Sequence, residues 1–408
     1  VIPPGADAPV RRRKVLYLPG YDPIPPRRYR ELYRREGADQ AAISGYALTL
    51  GARRDRTGFG WGVTGKFDGQ ITEAEIEVLA WSDVVAASMG RSILATYGQL
   101  AKTAWAYIGS GALWRLMRLR RGPVIAALYP VAVLLGQLLL ALIVAGVVWW
   151  LVARVLPRFW PIGIIPAAGA LWGILAGFRR LDGRLLAYYL MHDYAFTAGD
   201  GGAYPPALQD RLTRFTDRLG TIAAEDWDEV LLIGHSSGAY LAISVMAAHL
   251  RAGPPPERPA LGLLTLGHVV PMAAFLPRAA QLRRDLHELA GRQDIAWVDV
   301  TAPGDACSFG LCDPVAVCGV APDPQHLPLV MSAAFTQTLS PQRQAELKNR
   351  WFRLHFQYLC AFDRPGDYDY FAITAGPRSL ASRFAGRPPS PGRITRPVNR
   401  HTGMAPAP

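Results

Sequence analysis

The chain has 408 residues, half of them hydrophobic and only 19% charged, and its 44 basic against 32 acidic residues leave a formal charge of +12. Such a composition excludes a disordered or collagen-like polymer, and four cysteines are too few for a secreted disulfide scaffold. The charge is nearly all arginine, with Lys14, Lys66, Lys102 and Lys348 as the only lysines. No basic helix or RNA-type aromatic motif accompanies it, so the expected partner is an anionic membrane surface and no nucleic acid is expected.

Residues 1–14 read as an N-terminal arm, Pro- and Ala-rich and ending in Arg11-Arg12-Arg13-Lys14. No signal peptide is expected there, because the apolar run that follows is too short. That run, 15–18, predicts a buried strand entering a turn at Pro19-Gly20. Residues 29–37 predict a helix closed by its glycine, 41–50 a second strand, and 75–81 with 83–85 a third. The Gly- and Arg-rich residues 51–70 read as loop. Residues 100–119 carry Trp105, Trp114 and several arginines, the composition of an interfacial helix.

From Pro123 to Ala153 no residue is charged. At about 1.5 Å per residue this run gives roughly 46 Å of helix, more than the roughly 30 Å of membrane hydrocarbon. Arg154, Pro157 and Arg158 interrupt it, and 159–178 form a second uncharged run of one membrane thickness. Residues 123–178 are therefore expected to form a transmembrane hairpin, with Pro161 and Pro166 leaving a re-entrant second segment open. Arg115, Arg118, Arg120 and Arg121 precede it and Arg179, Arg180 and Arg184 follow, against two arginines in the turn. The positive-inside rule then puts both flanks in the cytoplasm and the turn outside, where Trp149, Trp150 and Trp160 would form an aromatic belt. The expected location is a membrane, specifically a bacterial inner membrane. The parts on either side of the hairpin would share the cytoplasm and form one domain from residues 15–122 and 179–375.

Beyond the hairpin, 206–219 predicts a helix, 229–233 a strand, 239–250 a helix, 253–256 a loop, 261–266 a strand, 279–290 a helix and 295–300 a strand. This alternation predicts an α/β fold: a mainly parallel central sheet with helices on both faces. Residues 376–408, rich in Pro, Arg and Gly, are expected to be a disordered tail.

The most informative stretch is Val230-Leu231-Leu232-Ile233-Gly234-His235-Ser236-Ser237-Gly238-Ala239, an apolar strand, G-x-S-x-G, then a helix. A serine on a sharp strand-to-helix turn has strained backbone angles, and neighbouring side chains would collide; Gly234 and Gly238 relieve that crowding. The helix that follows points its N-terminus at developing negative charge. Ser236 is the expected nucleophile.

In these residues and their order the chain resembles the α/β-hydrolase superfamily, in its lipase and esterase branch. The resemblance covers most of 15–375 outside the hairpin, and its specific part is the G-x-S-x-G turn. It implies oxyanion donors at the N–H groups of Ser237 and Tyr21, the latter in Leu18-Pro19-Gly20-Tyr21-Asp22, where the family often has His-Gly. It also implies the order nucleophile, acid, histidine. The acid is then Asp305, just past the strand 295–300, with Asp313 as the alternative and Asp299 inside the strand. The base is His355, in the aromatic setting 351–358, with His326 as the alternative. His235 is expected to pack or line the pocket, and Cys307, Cys312 and Cys318 to be structural thiols. No cofactor and no metal are expected. The implied activity is that of a membrane-anchored serine hydrolase cleaving a lipid or other acyl ester. The alternatives are an acyltransferase or thioesterase using the same residues, or a non-catalytic membrane scaffold.

Overall fold

A run such as Val230-Leu231-Leu232-Ile233 offers apolar side chains to both faces of a strand, which suits a parallel sheet covered on both sides. The computed structural model describes residues 8–55, 57–90, 92–253 and 259–405, and it contains such a sheet. Its strands are β1 (Arg12–Leu18), β2 (Ala47–Gly51), β3 (Phe59–Phe67), β4 (Gln70–Val78), β5 (Glu229–His235), β6 (Ala260–Leu266), β7 (Ala296–Thr301) and β8 (Leu329–Ser332). They lie in the order β2-β3-β4-β1-β5-β6-β7-β8. All pairings from β4 to β8 are parallel, and β2 and β3 add an antiparallel edge. The fold is α/β with a mostly parallel mixed sheet.

Side chains alternate between two cores along each central strand. Val230 and Leu232 of β5 and Leu16 and Leu18 of β1 enter one core, while Leu231, Ile233, Val15 and Tyr17 enter the other.

Several local expectations are corrected. The arm expected over 1–14 is strand from Arg12. Arg13 and Lys14 are fully buried, Arg13 Nε lying 2.5 Å from Glu229 Oε2 on β5 and Lys14 Nζ 3.1 Å from Glu75 Oε2 on β4. A central strand can bury these cations because both neighbouring strands supply a carboxylate. The first helix, α1 (Arg27–Ser44), runs through Gly37 and ends at Gly45, whose φ of 77° suits a left-handed cap. Gly37 instead admits a neighbour: a Cβ there would lie 3.1 Å from the Phe371 ring. The expected strand 41–50 is therefore helix to Ser44 and strand only from Ala47.

Within the expected loop 51–70 lies β3, which turns into β4 through Asp68 and Gly69, both at positive φ. Its glycines mark close packing, since a Cβ on Gly65 would lie 2.1 Å from Ala375 O. Residues 83–85 are part of a helix, Ser82–Ser88. The interfacial segment is two helices, α2 (Ile93–Gly109) and α3 (Ala112–Leu119), separated at Gly111 with φ 72°; Trp105 and Trp114 are exposed.

Among the described residues, two helical stretches, Arg121–Val155 and Pro157–Arg180, are long and apolar enough to cross a membrane, and most of their apolar length is not buried against the protein. The first is α4 (Arg121–Val155); the second is a 3₁₀ turn over Pro157–Gly163 followed by α5 (Ile164–Arg180). Length, composition and exposure together fit association with a membrane. Ala141 of α4 and Leu175 of α5 meet Ile93 of α2. Leu134 of α4 packs on Ala187, Tyr188 and Met191 of α6 (Ala187–Ala198).

Helices α7 (Pro206–Ala223), α8 (Ser237–Ala252) and α9 (Ala280–Ala290) cover the face of Val230 and Leu232. Helix α1 and the helix Tyr370–Ala375 cover the other face. The prolines 254–256, read as a loop, lie outside the described residues. The tail is also corrected: as far as Met404 it packs on the domain rather than trailing from it. Ile394 N–H donates to Leu311 O at 2.8 Å, Asp313 N–H to Ile394 O at 2.9 Å, and Asn399 Nδ2 to Ala274 O at 3.0 Å.

Candidate functional site

Four parallel strands, β1, β5, β6 and β7, end on one edge of the sheet, and the expected site residues follow those ends. β5 passes into α8 through Ser236, at φ 60° and ψ −124°, a conformation that strains any residue with a Cβ. The turn is tight enough to exclude side chains on either side. A Cβ on Gly234 would lie 2.4 Å from Gly238 O, and one on Gly238 would lie 2.2 Å from Leu18 O at the end of β1. Ser236 N–H donates to Leu266 O at 2.9 Å, fixing the turn to β6. The half-buried Ser236 stands at the wall of a cavity of about 520 Å³, which His355 also lines.

The chain reaches His355 by a broken path. After Pro341–Leu347, Asn349 turns it at φ 62°; α10 (Trp351–His355) is then a single short helix, and a 3₁₀ turn over Phe356–Leu359 follows. Asp305 lies four residues past the end of β7. His355 Nδ1 is 2.8 Å from Asp305 Oδ2, with both side chains almost fully buried. The same Oδ2 accepts the Tyr358 hydroxyl at 3.0 Å, and Oδ1 accepts Cys307 N–H at 2.9 Å. Burial alone would raise the Asp305 carboxyl. The charge and hydrogen bond of His355, with those of Cys307 and Ser308, outweigh it and hold the group below its usual range. An ionised Asp305 fixes the proton of His355 on Nδ1 and leaves Nε2 as the basic nitrogen.

Two neighbours keep His355 in place. Gly267, at φ 53° just after β6, is bare where a Cβ would lie 3.1 Å from His355 Cε1. His235 Nε2 is 3.0 Å from the His355 carbonyl, and the two rings are 4.8 Å apart. Burial first, then the nearby His355, lowers His235 to about 3, so it is a neutral donor to that carbonyl. His235 thus packs against His355, as expected of it from the sequence.

At the expected oxyanion site the structure adds a detail. Pro19-Gly20-Tyr21 lies directly over Ser236 and Ser237, a Cβ on Gly20 being 3.0 Å from Ser236 Cβ. Tyr21 N–H, however, donates to Ser237 Oγ at 2.8 Å, so this amide is engaged. Ser237 begins α8, and amides in a first helical turn have no acceptor within the helix.

The alternatives lie elsewhere. Asp313 accepts Val315 N–H and Ala316 N–H, each at 3.0 Å, and the Gln325 amide; it caps a turn. His326 is on the surface with Nε2 2.8 Å from Gln293 Nε2, away from the cavity. Asp299 is buried within β7, and Thr265 Oγ1 donates to it at 2.6 Å. Cys307, Cys312 and Cys318 are free, and burial raises all three thiols.

An ionisable cavity residue, Asp193, carried no role in the sequence reading. Asp193 of α6 lines the cavity with Ser236 and His355. Burial raises its carboxyl from 3.8 to about 7, with His355 pulling it down. A lone acid among Tyr188, Leu190, Met191, Tyr194 and Phe196 was its available signal. Chemically, the arrangement is a strained serine and a buried imidazole at one cavity, the imidazole held by an ionised carboxylate, with the first amides of α8 following the serine. It can deliver a nucleophilic oxygen to an electrophilic carbon and stabilise the resulting oxyanion. Compared with known proteins, the chain matches no family model, and no curated protein or solved structure is significantly similar to it.

Proposed function

We propose that the protein is a membrane-anchored serine hydrolase of the α/β-hydrolase type that cleaves an acyl ester. The observation that carries this reading is the strained Ser236 sharing one cavity with His355, itself 2.8 Å from the buried Asp305. His355 Nε2 takes the Ser236 proton as Oγ bonds to the acyl carbon. The carbon–oxygen bond to the leaving alcohol then breaks, and His355 returns the proton to that alcohol. Water attacks the acyl-enzyme, passing its proton to His355, and the carboxylic acid leaves as Ser236 Oγ is reprotonated. Ser237 N–H stabilises the oxyanion, joined by Tyr21 N–H once rotation of the Ser237 side chain frees it.

The two apolar stretches form the anchor. The arginines on their outer flanks put the α/β domain on the cytoplasmic side, in a bacterial inner membrane on this reading. The test is covalent labelling of the full-length protein in detergent with a fluorophosphonate probe. Labelling is expected in wild type and absent in Ser236→Ala. A folded wild-type protein that resists the probe and cleaves no ester would refute the reading.

A further inference from the structure

The cavity above Ser236 changes character toward its mouth. Its walls include the buried Leu190 and Met272 and the half-buried Val269, whereas Arg184, Arg350 and Arg353 are exposed and so mark its open end. Many other arginines of the domain are held by carboxylates: Arg13 by Glu229, Arg53 by Glu77, Arg211 by Asp83 and Arg251 by Asp285. Among the described residues, none of the three at the cavity mouth is in an ion pair. Three guanidinium forks free to donate, from two separate segments of chain, form a site for an oxyanion of phosphate type.

The position of this mouth narrows the source of the phosphate. Arg184 follows the apolar helix α5 by four residues, and Pro123, Ala126 and Tyr129 at the start of α4 supply another wall. The Tyr129 hydroxyl donates to Leu185 O at 2.8 Å, tying the foot of α4 to the residue after Arg184. The opening therefore lies at the base of the two apolar helices, the level at which headgroups of a bilayer sit. A volume of about 520 Å³ falls within the roughly 300–1,000 Å³ of small-molecule sites.

We propose that the substrate is an anionic phospholipid of the bilayer. Its phosphate binds Arg184, Arg350 and Arg353, its acyl ester carbonyl reaches Ser236, and the acyl chain lies along the apolar walls. This rests on the hydrolase reading and goes beyond it by naming the headgroup charge.

The experiment measures fatty-acid release by the full-length protein in mixed micelles of phosphatidylglycerol or of diacylglycerol, which lacks the phosphate, with the same chains. Wild type is expected to cleave the anionic lipid about tenfold faster, the effect of one charge-assisted hydrogen bond. The triple variant Arg184→Gln, Arg350→Gln, Arg353→Gln should lose that ratio, and the triple Lys variant should keep most of it. Removing Arg118, Arg121 and Arg396 instead, an equal loss of charge outside the cavity, should leave the ratio in place. Equal rates on the two lipids in wild type, or an unchanged ratio in the triple Gln variant, would overturn the proposal while fluorophosphonate labelling of Ser236 kept the hydrolase reading standing. No labelling and no cleavage of either lipid would overturn both.

Discussion

Replacing Ser236 by glycine and by alanine separates backbone strain from chemistry. At φ 60° and ψ −124°, the Ser236 Cβ crowds its own backbone. Such positive-φ conformations cost a non-glycine residue about 1–3 kcal/mol. Ser236→Ala keeps the Cβ and so keeps the strain, while Ser236→Gly releases it. Glycine ordinarily loses about 0.5–1 kcal/mol to alanine through chain entropy. Here the balance reverses, and Ser236→Gly should exceed Ser236→Ala in stability by about 1 kcal/mol, or about 1–2 °C in Tm for a chain of this size. Both variants should be inactive and unlabelled by a fluorophosphonate. Parallel thermal melts in one detergent, followed by tryptophan fluorescence, read the difference. An alanine variant as stable as the glycine variant, or more so, would refute the claim that the turn stores strain at Ser236.

Two more predictions concern the groups around that serine. Asp305→Asn should lower ester turnover by about 10⁴-fold and His355→Ala by about 10⁶-fold in a folded protein, whereas His326→Ala, on the surface beside Gln293, should turn over like wild type; inactive His326→Ala beside active His355→Ala would reverse the assignment. Asp193→Asn should stabilise the protein in a pH-dependent way. The folded-state carboxyl titrates near 7, above its ordinary 3.8, so the folded form holds its proton more tightly and burying the charge costs stability as pH rises between those values. Because the cavity is open to water, the gain from Asn at pH 8 should be about 1–2 kcal/mol, fading to nothing by pH 4, as chemical denaturation at the two pH values would show; an equal gain at both would remove the charge from the explanation.

What was legible in the sequence was what the chain encodes locally. The run Val230–Ile233, the paired Gly234 and Gly238, and the helix after them lie within a few turns of one another, and each states its own steric requirement. Asp305 and His355 were reached through order along the chain, and the aromatic run 351–358 favoured His355 over His326 without showing what holds either ring. That depends on Gly267 and His235, residues distant in sequence that admit and hold the ring. β3 escaped because its glycines read as loop, although Asp68-Gly69 signalled the hairpin. The tail escaped for a different reason: Ile394 and Asn399 are held mainly through backbone acceptors, which any sequence supplies. Asp193 and the arginines at the cavity mouth belong to a wall built jointly by the segments around the apolar helices and by α10, and no single stretch announces it.

The topology explains why the apolar helices and Ser236 meet at all. β4 runs parallel to β1, with Val78 opposite Tyr17, so the chain leaves β4 at the same edge of the sheet where β1 and β5 end. Everything inserted between β4 and β5 therefore departs from the edge that carries Ser236. The chain must then cross to the opposite edge to begin β5 at Glu229, and α7 makes that crossing over the core of Val230 and Leu232. The intervening segments, α4 to α6, stay on the Ser236 side, where Tyr129 and Asp193 become cavity wall. On the proposed reading, a single insertion point thus supplies both the anchor and the pocket, and a lipid reaching Ser236 enters beside the helices that hold the protein in its membrane.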